Sequence, residues 1–318
     1  MRGLNQQSFP GRPGPAGEPG LPIGSAAVRV PGVCGELVQG MSGGIHFLVT
    51  CPIDLFALAR VTLFRGGNGV DAPPDCPKAV AALEATLAHL GRGDVGARLA
   101  VTSPIPRSKG MGSSSADVAA TIAATGLALG AELSPETVAR IALSVEPSDG
   151  VMFPGIALLD HRKGRILELL GPPPPVEIVA LDFGGTVDTV EFNSVDRRPL
   201  WRSIQAEVDR ALRLVKDGLR RGDPGLMGEG ATISARASQR VTLKPRLPEV
   251  LEFAGAVGAV GVNVGHSGTI IGVLLDARER RGESVLQRAR QTFPDAEAIH
   301  RFRLLGGGLH QLRPDPAE

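Results

Sequence analysis

One glycine- and serine-rich segment limits what this chain can fold into more than any other feature. Residues 106–117 read PRSKGMGSSSAD, and a long run of small residues follows. Gly110 and Gly112 let the backbone approach a ligand closely, because glycine carries no Cβ atom. The serines open a predicted helix over 114–129, and the first N–H groups of a helix have no partner within it. Since those amides and the helix dipole favour negative charge, the segment predicts a phosphate site.

The side chains of the same segment fit that chemistry. Serine hydroxyls at the start of a helix can cap it, bind a phosphate oxygen or ligate magnesium. Lys109 and Arg107 add positive charge. The segment differs from a Walker A loop, because its lysine precedes the glycines. An N-capped helix after a flexible loop is the structural alternative.

Charge and composition exclude several classes of protein. The formal net charge is +1 and aromatic residues make up 3% of the 318 residues. Neither a basic surface nor an aromatic stacking platform for nucleic acid is therefore expected. The sequence has no apolar stretch long enough to span a membrane and no run typical of a signal peptide. Three cysteines without CxxC spacing predict buried thiols in a reducing cytoplasm.

Proline and glycine also divide the chain. The first 25 residues hold six glycines and five prolines without an apolar period, which predicts a disordered leader over 1–25. Four consecutive prolines follow Gly171, and such a run continues neither a helix nor a central strand. We therefore expect one domain over 26–171 and a second over 176–318.

Hydrophobic periodicity gives the elements of both domains. Strands are predicted at 27–30, 55–64, 97–102, 155–160, 165–170, 176–182, 259–264, 269–275 and 299–304. Helices are predicted at 78–90, 114–129, 135–145, 200–219, 248–257 and 279–293. Without its extra helices the second half runs β, α, β, β, α, β, which is the order of a ferredoxin-like domain.

Three glycine-bearing segments in order resemble a known family. Residues 106–117 resemble the PxxxGLGSSA signature of the GHMP kinases, the family of galactokinase, homoserine kinase, mevalonate kinase and phosphomevalonate kinase. PGVCGELVQG at 31–40 is similar to their N-terminal PGxxGE region, and GVNVGHSGT at 261–269 lies where their C-terminal glycine-rich motif falls. The resemblance covers about residues 28–275. It implies an α+β fold, with a domain like ribosomal protein S5 domain 2 followed by a ferredoxin-like domain.

Four phrases resemble one branch of that family, the L-threonine kinases of cobalamin biosynthesis. They are PGVCGELVQG, CPID, SKGMGSS and EPSDG. This resemblance implies a cytoplasmic monomer or homodimer that phosphorylates the hydroxyl of a small amino acid with ATP and Mg²⁺. The expected reaction converts L-threonine to O-phospho-L-threonine. A kinase for another small alcohol, such as homoserine or serine, is the alternative.

The resemblance also places ATP and the metal. Residues expected at ATP are Pro106, Lys109, Gly110, Met111, Gly112, Ser113, Ser114, Ser115 and Asn68. Candidate metal ligands are Ser113, Glu146 and Asp117. Asn68 also lies in an ordinary glycine-rich turn, and Asp117 could instead compensate the helix dipole.

Catalytic and substrate-binding residues follow from the same motifs. The expected catalytic residues are Asp149, as the base, and Lys109. Glu146 and Asp149 flank a short Pro147-containing turn, and simple capping of that turn is the alternative role for both. Residues expected at the acceptor are Cys34, Glu36, Asp54, Gly265, His266 and Ser267. Glu36 suits a substrate ammonium or hydroxyl, with a structural salt bridge as the alternative.

A serine hydrolase is the rival enzyme class. GHSG at 265–268 partly matches the GxSxG nucleophile elbow, but Thr269 stands where the last glycine is required. The segment also lies between two predicted strands rather than before a helix. The match is therefore rejected.

Overall fold

The computed structural model describes residues 21–66, 69–185 and 197–312. Its strands are β1 (Pro22–Ser42), β2 (Ile45–Arg65), β3 (Val70–Asp71), β4 (Val95–Thr102), β5 (Ile156–Leu159), β6 (Leu167–Gly171), β7 (Val176–Asp182), β8 (Gly261–Val264), β9 (Ile271–Asp276), β10 (Ala298–Arg303) and β11 (His310–Leu312). Its helices are α1 (Pro77–His89), α2 (Ser113–Ala128), α3 (Pro135–Val145), α4 (Arg198–Ser203), α5 (Gln205–Arg221), α6 (Pro224–Ser238), α7 (Leu247–Ala256) and α8 (Gly282–Thr292), with a 3₁₀ turn at Ala277–Glu279.

The strands of both halves form one sheet. Its main path runs β10-β7-β9-β8-β1-β2-β4-β3, while β11 adds to β1 and the β5–β6 hairpin adds to β2. The two halves join where Glu36 of β1 pairs with Val264 of β8. Glu36 pairs with Thr50 of β2 on its other side. This residue therefore lies at the seam between the halves.

The second half has the predicted ferredoxin-like order. Four of its five described strands lie in the order β10-β7-β9-β8, and each neighbouring pair is antiparallel, whereas β11 pairs with β1. Alternate residues of β7 face two cores. Ile178 and Ala180 belong to the large core of the molecule, whereas Val179 and Leu181 belong to a smaller core under α7 and α8. The mixed α and β architecture that the sequence predicted is confirmed.

The first two strands are much longer than predicted. Each has 21 residues, whereas the sequence predicted a strand only at 27–30 and another at 55–64. Most of β1 from Val28 to Met41 is buried, so its sequence lacks the alternation that marks a half-exposed strand. Register shifts between Pro31 and Val38 accommodate its proline and glycines. The strand begins at Pro22, within the stretch predicted as leader.

Two helical regions also differ from prediction. The helix expected at 200–219 is divided into α4 and α5 at Ile204. Helix α6 was missed because three glycines interrupt its apolar pattern, although Asp223 caps it and Pro224 occupies its first turn. Gly228 is needed there, since a Cβ atom would lie 2.2 Å from the Val260 oxygen. Small residues here permit close helix–sheet contact.

Helix α2 brings the serine-rich segment into the core. All but three of its 16 residues are buried, and they are almost entirely alanine, serine, threonine, valine and isoleucine. Such small side chains let the helix pack closely on β1, β2 and α1. Its N-terminus is thereby fixed at the face where the two halves meet. Within the described ranges, no helix combines the length and apolar character that crossing a membrane requires.

Candidate active site

A cavity of about 370 Å³ opens at the N-terminus of α2. It lies between the 106–112 loop, the start of α1, the loop after α3 and the β8–β9 turn. Its lining residues include charged and polar groups from all of these: Glu36, Asp75, Lys78, Arg107, Ser108, Ser113, Ser114, Ser115, Asp117, Glu146, Ser148, Asp149, His161, His266 and Ser267. The three glycine-bearing segments of the sequence all contribute to this one cavity.

The glycine-rich loop is held from two sides. Gly110 and Gly112 have positive φ angles of 79° and 66°, and Gly112 forms the left-handed N-cap of α2. From β1, the Val33 N–H donates to the Met111 oxygen (2.9 Å) and the Gly35 N–H to the Gly110 oxygen (3.2 Å). These two hydrogen bonds fasten the backbone of the loop to β1.

The third segment holds the same loop from the opposite side. The Thr269 and Ile270 N–H groups donate to the Lys109 oxygen at 3.0 and 3.1 Å. Gly268 lies so close that a Cβ atom there would be 2.1 Å from the Gly110 nitrogen. Only a glycine permits this backbone contact. The β8–β9 turn is thus a direct support of the loop.

Glu146 lies at the mouth of the cavity, just after α3. Residues before proline avoid helical geometry, and Glu146, which precedes Pro147, is extended with φ −160° and ψ 164°. This conformation ends the helix and sends the carboxylate to α2. One oxygen accepts a hydrogen bond from the Ser114 hydroxyl, and the other lies 2.5 Å from the Lys78 ammonium. The Glu146 carboxylate therefore forms an ion pair with the Lys78 ammonium.

Asp149 lies deeper, against the next serine of α2. The Ser115 hydroxyl donates to its Oδ2 (3.1 Å) and accepts from its N–H (3.0 Å). Burial raises the pKa of Asp149 to about 6, the Ser115 hydrogen bond lowers it, and the charge of Glu146 raises it. A carboxylate with a pKa near neutrality suits general base chemistry.

Glu36 is a second buried carboxylate of the cavity. Its side chain is 5% exposed, and its Oε2 atom has no hydrogen-bond partner among the described residues. Burial, and then the charge of Asp149, raise its pKa well above the usual range. Burial therefore favours the neutral acid, because an unpaired buried carboxylate is costly. A cationic group of a ligand beside Glu36 would instead favour its charged form.

Asp117 is a third carboxylate with a perturbed pKa. Burial raises its pKa to about 6, while the charge of Arg107 lowers it. Its Oδ1 lacks a partner in the described part of the chain. Arg107 itself is bound to Asp75 through the backbone oxygen (2.8 Å) and the carboxylate (3.3 Å). This side of the cavity therefore combines acidic and basic groups at its rim.

Comparison with known proteins identifies the family. The family model described as the GHMP kinases N terminal domain matches residues 77–154, and the GHMP kinases C terminal model matches residues 215–295. The L-threonine kinase of Salmonella typhimurium is 32% identical over 295 residues, which are 89% of this chain and 95% of that protein. This chain is a GHMP kinase. It is accordingly an ATP-dependent small-molecule kinase, as the sequence predicted.

Two further relatives agree with this assignment. The L-threonine kinase of Citrobacter freundii is 31% identical over 89% of this chain and 99% of its own length. Among solved structures, the homoserine kinase from Cytophaga hutchinsonii has a TM-score of 0.72 with 17% identity, and the match covers 98% of this chain and 100% of that one. The structural likeness supports the GHMP kinase fold.

Most predicted phosphate-site residues of this GHMP kinase lie together. Gly110, Met111, Gly112 and the three serines line the cavity, as do Asp117, Glu146 and Asp149. Among the serines, Ser114 rather than Ser113 contacts Glu146. Pro106 lies outside the described lining, and Asn68 lies outside the described residues.

Lys109 is placed differently from the other loop residues. Its ammonium lies 2.8 Å from Asp182 and 3.0 Å from Glu297, and it donates to the Gly185 oxygen at 3.2 Å. It is not among the described residues that line the cavity. The two carboxylates explain this position, because they raise its pKa and hold the charged form. In this structure Lys109 ties the loop to the second half of the molecule.

The predicted acceptor residues divide into two groups. Glu36, His266 and Ser267 line the cavity. Asp54 does not face it: the side chain is exposed and caps β10, accepting a hydrogen bond from the Arg303 N–H (2.8 Å). Cys34 is fully buried, burial raises its pKa to about 12, and it is not among the described lining residues. Gly265 packs beside Gly110 and is likewise outside that set.

Sequence reasoning missed several cavity residues. Lys78 follows the proline in the first turn of α1, Asp75 precedes that helix, and His161 lies in the β5–β6 turn. The only local signal for Lys78 and Asp75 is Pro77, which marks the start of α1. Nothing local marks His161, because its position depends on pairing between distant strands.

The raised pKa of Asp149 leads to a pH prediction. A general base acts when deprotonated, so kcat/KM for the acceptor should fall about tenfold per pH unit as the pH drops below the pKa of Asp149, about 6. In a Ser115→Ala variant the hydrogen bond that lowers this pKa is lost, so the acid limb should move to higher pH. Initial rates between pH 5 and 8 measure both effects. Identical limbs in the two proteins would contradict this assignment of Asp149.

Proposed function

We propose that this GHMP kinase phosphorylates the hydroxyl of a small amino acid, with L-threonine as the first candidate. One observation carries the amino-acid part of the proposal. Glu36 is a buried carboxylate whose Oε2 has no partner among the described residues, and it lines the same cavity as Asp149 and the glycine-rich loop. A substrate ammonium would neutralise Glu36, and the hydroxyl would then lie near the base.

The relatives favour L-threonine over other hydroxy amino acids. Two L-threonine kinases match this chain at 31–32% identity over 89% of its length. The phrases PGVCGELVQG, CPID, SKGMGSS and EPSDG also resemble that branch. Because that branch serves cobalamin biosynthesis, we propose that O-phospho-L-threonine, the product, is used there. Homoserine and serine carry the same ammonium and carboxylate, so they are the natural competitors.

The reaction follows from the placement of the groups. The amides at the start of α2 and of its loop would bind the phosphates of ATP. Asp149 accepts the proton of the acceptor hydroxyl while the oxygen of that hydroxyl forms a bond to the γ-phosphorus. The bond from that phosphorus to the β–γ bridging oxygen breaks, and ADP leaves. Ser115 orients Asp149 through two hydrogen bonds.

The residues present suit a magnesium ion. Mg²⁺ is commonly held by one or two carboxylates together with substrate phosphates and water. Glu146 and Ser114 supply adjoining oxygens beside the phosphate loop, and Glu146 already pairs with the Lys78 ammonium. Across the described residues no group of three or more His, Cys, Asp and Glu side chains could hold a metal. When bound, the ion would neutralise charge on the phosphates.

A substrate panel tests the proposal. The protein is incubated with Mg-ATP and L-threonine, L-serine, L-homoserine, mevalonate or galactose, and release of ADP is followed. We expect kcat/KM for L-threonine to exceed that for the sugar and the hydroxy acid by at least about a hundredfold, because only the amino acids carry an ammonium for Glu36. A Glu36→Gln variant should lose most of that preference.

The panel also separates the rival substrates. Turnover of homoserine or serine without L-threonine would overturn the specific substrate but keep the amino-acid class. Turnover of mevalonate or galactose alone would overturn the class itself. Release of ADP at the same rate without any acceptor would mean that water is the acceptor.

A further inference from the structure

His161 is a buried lining residue that the mechanism above does not use. It is 4% exposed and lies in the turn that joins β5 to β6. The turn is fixed from within, because the fully buried Asp160 accepts hydrogen bonds from the N–H groups of Arg162 (3.1 Å), Lys163 (3.2 Å) and Arg165 (3.2 Å). The His161 oxygen also accepts from the Ser148 N–H (2.9 Å). Its ring is therefore held beside the Asp149 loop.

The contacts of the ring determine which nitrogen carries the proton. The Arg162 Nε–H donates to His161 Nε2 at 3.4 Å, and a guanidinium can only donate. Nε2 must therefore be unprotonated. Burial, followed by the charge of Arg162, lowers the pKa of His161 to about 3, so the ring is neutral and its proton lies on Nδ1.

That proton has no acceptor in the described part of the protein. Nδ1 is buried and lacks a hydrogen-bond partner among these residues. A buried donor without an acceptor is destabilising, and native structures rarely leave one unsatisfied. Since His161 lines the cavity, a ligand oxygen is a suitable acceptor.

The charges around the cavity favour an anionic oxygen beside the histidines. Burial is the largest cause of the low pKa of His266, and the positive charges of Arg162 and Lys244 lower it further. The rings of His161 and His266 pack edge to face at 5.2 Å, so both lie in this positive field. Glu36, by contrast, is influenced by a negative charge, because burial and then the charge of Asp149 raise its pKa. The cavity thus offers an unpaired acceptor at Glu36 and an unpaired donor at His161.

We infer that His161 is a specificity-determining residue whose Nδ1–H binds the carboxylate of an α-amino acid acceptor while Glu36 binds its ammonium. This inference rests on the proposed function and adds the group that recognises the carboxylate. The Glu36 carboxylate and the neutral His161 ring would thus hold the two ends of the α-amino acid group, its ammonium and its carboxylate. Its side-chain hydroxyl is then the part left to meet Asp149 and the γ-phosphate. An amino alcohol of the same shape without the carboxylate would lose one anchor.

The test compares L-threonine with (R)-1-amino-2-propanol, which has the same hydroxyl and ammonium but no carboxylate. Two variants are matched in size and polarity. In His161→Asn the amide nitrogen takes the place of Nδ1 and keeps a donor. In His161→Gln the amide nitrogen reaches the place of Nε2, so no hydrogen-bond donor remains at the place of Nδ1. His89→Asn, on the surface end of α1, controls for loss of a histidine.

The measured quantity is the ratio of kcat/KM for L-threonine to that for the amino alcohol. Wild type should favour L-threonine by at least about a hundredfold. His161→Gln should lower the ratio at least about tenfold, whereas His161→Asn should stay within about threefold of wild type. A merely structural role would lower both rates together and leave the ratio unchanged.

Wild-type protein provides a second measurement that needs no variant. With ¹⁵N-labelled histidine, the Nδ1–H resonance of His161 should shift on addition of L-threonine and not on addition of the amino alcohol. If L-threonine is phosphorylated but neither the ratio nor the resonance responds, the inference about His161 is wrong and the proposed function stands. If wild type phosphorylates no hydroxy amino acid, both are wrong.

Discussion

A Glu146→Gln variant is expected to fold normally and to lose at least about a hundredfold in kcat. Glutamine keeps the shape of the side chain but removes its charge. Glu146 contacts the Ser114 hydroxyl and the Lys78 ammonium, so its carboxylate lies beside the glycine-rich loop, where a metal bound to ATP would need it. The neutral amide would hold Mg²⁺ weakly, and the Mg²⁺ concentration that gives half-maximal rate should rise.

Two comparisons make this prediction specific. Ser114→Ala should act in the same direction, because it removes the hydroxyl that touches Glu146. Glu136→Gln changes the exposed glutamate in the first turn of the same helix and should leave kcat near the wild-type value. Steady-state rates across a range of Mg²⁺ concentrations measure all three. If Glu146→Gln matches Glu136→Gln, the proposed metal ligand is wrong.

A Gly268→Ala variant is expected to damage both the stability and the catalytic rate. A Cβ atom there would lie 2.1 Å from the Gly110 nitrogen and 2.2 Å from the Lys109 carbonyl carbon. These are backbone atoms and cannot move aside as a side chain could. We expect the free energy of unfolding to fall by about 3 kcal/mol and kcat/KM for ATP to fall at least about tenfold, because the loop must shift.

The matched control is Gly255→Ala in α7. No atom lies within 4 Å of the position of a Cβ atom at Gly255, and alanine is favoured over glycine within a helix. This variant should therefore be as stable as wild type or slightly more stable. Urea unfolding gives the stabilities, and initial rates at varied ATP give kcat/KM. Equal behaviour of the two variants would show that the β8–β9 turn does not support the loop.

The glycine- and serine-rich segment was predictable because its local sequence favours a tight loop followed by the start of a helix. Contacts from β1 and from the β8–β9 turn then hold that loop in position. Local sequence also predicted α3, where Pro135 starts the helix and Pro147 forces its end. The order of the main elements in the second half was also predictable, since its strands and helices differ in length and in hydrophobic period.

Contacts between distant residues could not be predicted in this way. Lys109 stands next to the loop glycines in sequence, yet two carboxylates from the second half draw it away from the cavity. Asp54 is the last residue of the CPID phrase, yet its side chain caps β10 instead of facing the cavity. In each case the partner lies more than 70 residues away, and the sequence near the residue does not specify it.

The sequence by itself determined the family, the fold class and the position of the glycine-rich loop before α2, because these depend on short motifs and on hydrophobic periodicity. Only the tertiary structure decided which polar groups share the cavity. Glu36 lies there because β1 pairs with β2 on one side and β8 on the other, and His161 because the β5–β6 turn is fastened to the loop after α3. Burial of those groups without partners is a property of the packed molecule, and it is this burial that gives them their chemistry.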